Sequence, residues 1–102
     1  MVHVIAVITA KPAQRDSILQ HFRANTPAVK AEDGCIEYNA VVDAKDPLPF
    51  QAPYGADTFV VIEKWASMAA LKAHAAAPHM AAYGAKTGEF IASRMIHIMQ
   101  AA

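Results

Sequence analysis

The feature that most limits how this chain can fold is a strand-like run with apolar residues on both of its faces. Val2–Ala10 reads VHVIAVITA, β-branched and stopped by Lys11-Pro12, which marks a strand. Side chains alternate across a strand, so Val2, Val4, Ala6 and Ile8 share one face while Ile5 and Val7 share the other. TFVVIEKW (Thr58–Trp65) and IASRMIHIMQ (residues 91–100) also carry apolar residues on both parities. Strands of this kind need cover on two sides.

The remaining elements follow from their punctuation. Pro12 suits a first helical position, where its missing N–H would have no partner. The predicted helix runs over residues 12–32, with Ile18, Leu19, Phe22 and Val29 at helical spacing. Pro27 should kink or interrupt it, and Gly34 should end it. A second strand is expected over 35–43. Pro47, Pro49, Pro53 and Gly55 then make residues 44–57 a long loop. Ser67 is a suitable N-cap for a helix through about Ala76, and Pro78 opens another that should end near Gly84 or Gly88.

The order is β-α-β-β-α-β, an α+β, ferredoxin-like split arrangement with an antiparallel sheet and both helices on one face. Residues 1–102 are expected to form one domain, without repeats or a linker. Helices on one face leave the other bare, and a bare apolar sheet is atypical of a monomer. The expected remedy is a homodimer joined sheet to sheet. The apolar fraction of 55%, above the common ~45–50%, points the same way, although much of it is alanine.

Nine basic and nine acidic residues cancel, and no basic patch or run gives a footprint for nucleic acid or an anionic membrane surface. The opening apolar run lacks a charged flank and is too short for an export signal or a membrane span. Cys35, the one cysteine, excludes an internal disulfide and fits a reducing cytoplasm. Its ordinary role is that of a small buried hydrophobe.

The chemically informative stretch is LKAHAAAPHMAAY, residues 71–83, where His74 and His79 flank Pro78 in a background of alanine. Zinc sites use three or four closely spaced ligands, and these histidines do not reproduce the helical pair of a metalloprotease. The expectation is no metal. No serine sits in a glycine-flanked elbow, and no glycine-rich loop signals flavin or nicotinamide. Acid/base work suits the pair better, because imidazoles titrate near neutrality. A helix break between the rings can aim both toward one cavity. The helix N-terminus would keep His79 neutral. Trp65, Tyr38 and Tyr83 are either core residues or the walls of an aromatic pocket suited to a flat apolar ligand.

GCIEY (34–38), FVVIEKW (59–65) and LKAHAAAPHMAAY together resemble the antibiotic biosynthesis monooxygenase family. The most specific piece is L-x-x-H-x-x-x-P-H-[MF]-x-x-[YF]. Val42-Asp43 and Phe50-Gln51, around the long loop, are similar to its bacterial quinol monooxygenase branch. The resemblance implies a dimeric ferredoxin-like fold of the α/β barrel type. It also implies oxidation of a quinol or polyphenol by dioxygen without metal, haem, flavin or other cofactor. His74 and His79 would serve as base and hydrogen-bond donor beside Trp65, while Tyr38, Phe59, Met80 and Tyr83 shape the substrate pocket. Val61 and Leu71 stand where the polyketide-oxidising branch has asparagine and tyrosine, so that mechanism does not transfer. Ile5 and the region of Gly84 depart from the haem-degrading branch. A branch that isomerises a phosphorylated sugar keeps a similar His…Pro-His segment, which leaves isomerisation open beside oxidation and simple ligand binding.

Overall fold

In the computed structural model, which describes residues 1–102, the elements are β1 (Val2–Ala10), α1 (Arg15–Lys30), β2 (Cys35–Val41), β3 (Thr58–Trp65), α2 (Met68–Ala75), α3 (Pro78–Thr87) and β4 (Ile91–Met99). A 3-10 turn, Gly88–Phe90, precedes β4. The strands lie in the order β2-β3-β1-β4, each antiparallel to its neighbours. This is the ferredoxin-like arrangement expected from the element order, with the second helical segment divided into α2 and α3. No helix is long and apolar enough to cross a membrane.

Pairing register fixes which residues face the helices. Val2, Val4, Ala6 and Ile8 stand opposite Trp65, Glu63, Val61 and Phe59, and all eight are buried. Ile18, Leu19, Phe22 and Val29 of α1 and Leu71 of α2 pack onto this face. Each such side chain contributes roughly 1.5–3 kcal/mol by leaving water. On the other face Ile5, Val7 and Ile62 are half-buried. The far edge is barer still. On β4, Ile96 and Ile98 stand opposite Ala6 and Val4 on the helix side, and Met95 opposite Val7 on the other, yet these three are 50%, 53% and 61% exposed.

Three local expectations are corrected. Helix α1 starts at Arg15 rather than Pro12: Ala13 takes a positive φ of 65°, which no right-handed helix accommodates, and its N–H donates to the Asp57 carboxylate at 3.0 Å. Pro27 does not interrupt α1, which continues to Lys30. Fully buried Val29 holds the last turn against the core, and the Ala31 N–H still reaches the Pro27 carbonyl at 3.1 Å.

Gly34 does not end the helix, which stops at Lys30 with Ala31 as its C-cap; it shapes the turn that leads to β2. Its φ is +82°, and a Cβ there would meet the Ala70 Cβ at 2.7 Å. Its carbonyl accepts the Ala66 N–H at 2.8 Å. The bare glycine thus lets the α1–β2 turn close onto the start of α2. Gly34→Ala is expected to destabilise the fold by about 2–4 kcal/mol, through backbone strain and overpacking. Urea denaturation showing a lower midpoint at unchanged slope would register this, and an unchanged midpoint would refute it.

Candidate active site

The close approach at Gly34 carries Glu32, two residues earlier in the same turn, against α2. That helix begins where the Ser67 hydroxyl accepts the Ala70 N–H at 3.1 Å, and it turns Leu71 and His74 inward. His74 Nδ1 lies 2.7 Å from Glu32 Oε2. At this distance the ring donates its Nδ1–H to the carboxylate, which fixes its orientation. Nε2, on the other side of the ring, looks toward Glu63 Oε1 at 4.0 Å. That same Oε1 accepts the Trp65 indole N–H at 2.9 Å. The His74 ring lies over the indole, centroids 4.6 Å apart and planes tilted by 34°.

His79 is placed by Pro78, at the first position of α3, after an extended Ala77. Its Nε2 reaches to 3.3 Å from Glu32 Oε2, but out of line for a hydrogen bond. Both ring nitrogens are therefore buried without a partner. The resulting order is Glu63, His74, Glu32, His79, carboxylates alternating with imidazoles from the sheet outward. No three His, Cys, Asp or Glu side chains are grouped as metal ligands would be. What the arrangement can do is hold and pass protons beside an indole.

Burial raises the Glu63 carboxyl above its ordinary value. The Glu32 charge adds to that, while the Trp65 bond and His74 oppose it. Burial likewise raises the Tyr38 hydroxyl, helped by Glu63. It pushes Tyr83 up to about 12 against the pull of Arg94. The Cys35 thiol is raised by burial and then by Glu32 and Glu63, so it stays a thiol near neutrality.

Of the residues singled out from sequence, His74, His79, Trp65 and Tyr38 come together. Tyr38 stands opposite Glu63 in the sheet. Its ring stacks on Phe22 at 5.0 Å and turns its edge to His74 at 5.6 Å. Tyr83 meets the other side of Phe22 edge-on at 6.4 Å, and the Met80 sulfur accepts the Asn25 amide N–H at 3.3 Å. Phe59 is fully buried core, edge-on to Phe22 at 6.2 Å. It borders a separate cavity of about 370 Å³ under the 44–57 loop. There Asp43 accepts the Tyr54 and Gly55 N–H groups at 3.0 and 2.8 Å, which hold its carboxyl below the usual range.

A second cavity, of about 310 Å³, lies between α1 and β2. Neither cavity is lined by Trp65, His74 or His79. Beside the indole lie the His74 ring and the Glu63 carboxylate. Sequence reasoning missed Glu32 and Glu63. Glu63 had a signal, because it occupies the same strand parity as Phe59, Val61 and Trp65, where a carboxylate must be buried. Glu32 had none, lying 42 residues from the ring it holds.

Fold and cluster together define a small α+β protein in which two imidazoles and two carboxylates gather beside an indole. A model of the antibiotic biosynthesis monooxygenase family matches residues 1–86. The chain belongs to that family. It is 37% identical over 102 residues to YgiN of Escherichia coli K12, described as a probable quinol monooxygenase, with 98% of this chain and 97% of the relative covered. Among solved structures, PA3566 from Pseudomonas aeruginosa superposes with a TM-score of 0.81 at 25% identity, covering 99% of this chain and 93% of that one. Rv0793 from Mycobacterium tuberculosis gives the same score and identity over 99% and 94%.

Glu63→Gln tests the buried carboxyl. The amide carbonyl can still accept the indole N–H, while the charge is gone. Because the folded pKa is raised, the stability Glu63 contributes is fully present below its unfolded pKa and is lost as pH rises through the folded value. The stability of the variant relative to wild type should therefore increase between about pH 4 and about pH 7. Paired urea titrations giving a constant difference would contradict this.

Proposed function

We propose that this chain is a cofactor-independent monooxygenase that oxidises a quinol or polyphenolic aromatic substrate with dioxygen. The observation that carries the reading is the His74 ring, held by Glu32 and laid over Trp65, with His79 directed at the same carboxylate oxygen. The family supports a monooxygenase, and the description of YgiN supports the quinol.

The chemistry needs little beyond what these residues supply. A quinol that loses a proton becomes a phenolate, which transfers electrons to dioxygen far more readily than its neutral form. The substrate is thus its own reductant. Dioxygen accepts four electrons, two as the quinol becomes a quinone and two as one ring C–H becomes C–OH. One oxygen atom enters the ring and the other leaves as water, so quinol plus dioxygen gives hydroxyquinone plus water. In this reading one imidazole of the pair takes the phenolic proton and the other donates a hydrogen bond to the substrate or its oxidised product, with Glu32 stabilising the cation. Trp65 and Tyr38 limit water around the developing anion, and Met80 and Tyr83 belong to the surrounding apolar wall.

Residues 1–102 would act as one domain, in the reducing cytoplasm that a lone thiol suits. A second copy would cover the outer sheet face. Half-buried Ile5, Val7 and Ile62 lie there with exposed Met95 and Met99, a contiguous apolar surface of the kind that marks an interface.

Two results are expected. Reduced naphthoquinone should consume oxygen and gain one labelled atom from isotopic dioxygen. His74→Ala should lower kcat/KM by about 10²-fold or more while circular dichroism stays unchanged, and His79→Ala should also fall. Full activity in both variants would remove the assigned roles. Sedimentation should report a dimer at micromolar concentration that Met95→Lys shifts toward monomer, whereas a wild-type monomer would refute the interface.

A further inference from the structure

The cavity between α1 and β2 has a chemistry of its own. Residues three, four or seven apart on a helix share a face, and Arg15, Leu19, Phe22, Arg23, Thr26 and Lys30 form one such stripe lining it. The floor is apolar, with Leu19 and Phe22 from the helix meeting Tyr38, Ala40 and Val42 from the strand. The rim is cationic. Arg15 is partly engaged, donating to the Thr58 carbonyl at 3.2 Å, and Thr26 donates its hydroxyl to the Phe22 carbonyl at 2.8 Å. Arg23 and Lys30 are not engaged: the salt bridges of the chain join Lys64 to Glu37 and the two histidines to Glu32 and Glu63. Asp16 is the sole carboxylate lining the cavity.

An apolar floor bordered by unpaired cations selects for a molecule with both characters. The volume, about 310 Å³, is at the small end for ligand pockets. It accommodates one or two fused rings and excludes a macromolecular partner. A guanidinium and an ammonium beside a low-dielectric floor favour a carboxylate or similar acid, the guanidinium through paired N–H groups.

We propose that this cleft binds a planar aromatic acid, its ring on Leu19, Phe22 and Tyr38 and its anionic group between Arg23 and Lys30. The cleft adjoins the histidine cluster through a shared wall. The Tyr38 ring that lines it presents its edge to His74 on the inner side, and Phe22 stacks on that same ring. The cleft is a site apart from the histidine cluster, so this proposal goes beyond the monooxygenase chemistry proposed above and does not depend on it.

The test uses 2-naphthoate and its methyl ester, redox-inert probes that share the ring system and differ in charge and one methyl group, titrated calorimetrically into the intact protein under nitrogen. The acid should bind about tenfold or more tightly than the ester at low ionic strength, with the preference shrinking as salt screens the rim. Arg23→Gln combined with Lys30→Gln should bring the ratio of the two affinities close to one. Equal binding of acid and ester by the wild type would overturn the proposal, and so would a preference that survives the double substitution. Oxygen uptake by the wild type with an uncharged naphthoquinol separates the two readings. Uptake without acid preference removes the cleft assignment alone, and acid preference without uptake removes the quinol chemistry alone.

Discussion

The contact between Glu32 and His74 is where backbone geometry becomes chemistry. It joins the turn after α1 to the inner face of α2, and it forms because Gly34 permits an approach that any side chain would block. A buried carboxylate and imidazole are costly to desolvate separately, so the pair is favourable only while its geometry is good. That makes the contact an orienting device. With Nδ1 committed to Glu32, the other nitrogen of His74 faces the sheet, and the ring plane is set over the indole. Moving the turn by an ångström would leave two buried polar groups unpaired and the indole uncovered.

The two carboxylates are not equivalent. Glu63 belongs to the strand, spends one oxygen on the Trp65 N–H, and is raised by burial. Glu32 stands at a turn, serves His74 by a short hydrogen bond, and lies near His79 without aligning to it. Exposure rises toward the outer end of the order, from the buried Glu63 and His74 to Glu32 and then His79. Low local dielectric strengthens every step in such a network and makes each unsatisfied group expensive. The His79 ring nitrogens, buried in a half-buried side chain and without a hydrogen-bond partner, are the expensive ones, and they have capacity left for a substrate.

Much of the fold was legible because its signals are local. β-branched runs between Pro and Gly punctuation marked the strands, Ser67 and Pro78 marked the helix starts, and the element order fixed the topology. The histidines were legible for the same reason, standing out against alanine. The misreadings came where tertiary geometry overrode a local preference. Pro12 can start a helix, but Ala13 adopts a positive φ and bonds Asp57 across the structure. Phe59 was read as pocket wall from the family resemblance, yet strand register puts it under α1 with the core. Glu32 was invisible because nothing in a turn before a glycine says which distant ring it will meet. Glu63 was visible in principle as a carboxylate on a buried parity, a position that only a partner could make tolerable.

The helix layer does not sit centrally on the sheet, and this offset organises the molecule. Helix α1 packs on β2 and α2 on β3, so cover is concentrated on one side of the strand order. On that side the buried aromatic layer, the carboxylates and the cationic cleft could all be built within reach of one another. On the other side β1 is the last strand with helix cover, and β4 carries Ile96 and Ile98 into the open on the face where a core would otherwise continue. A chain of this size cannot both enclose a polar cluster on one side and bury the edge of its sheet on the other. Enclosing the cluster therefore has a structural consequence on the opposite edge, an apolar strand left for another surface to cover. The dimer proposed above would cover Met95 and Met99 on the outer face of that strand, away from the turn that holds Glu32, and would leave Ile96 and Ile98 on the helix side for a different contact.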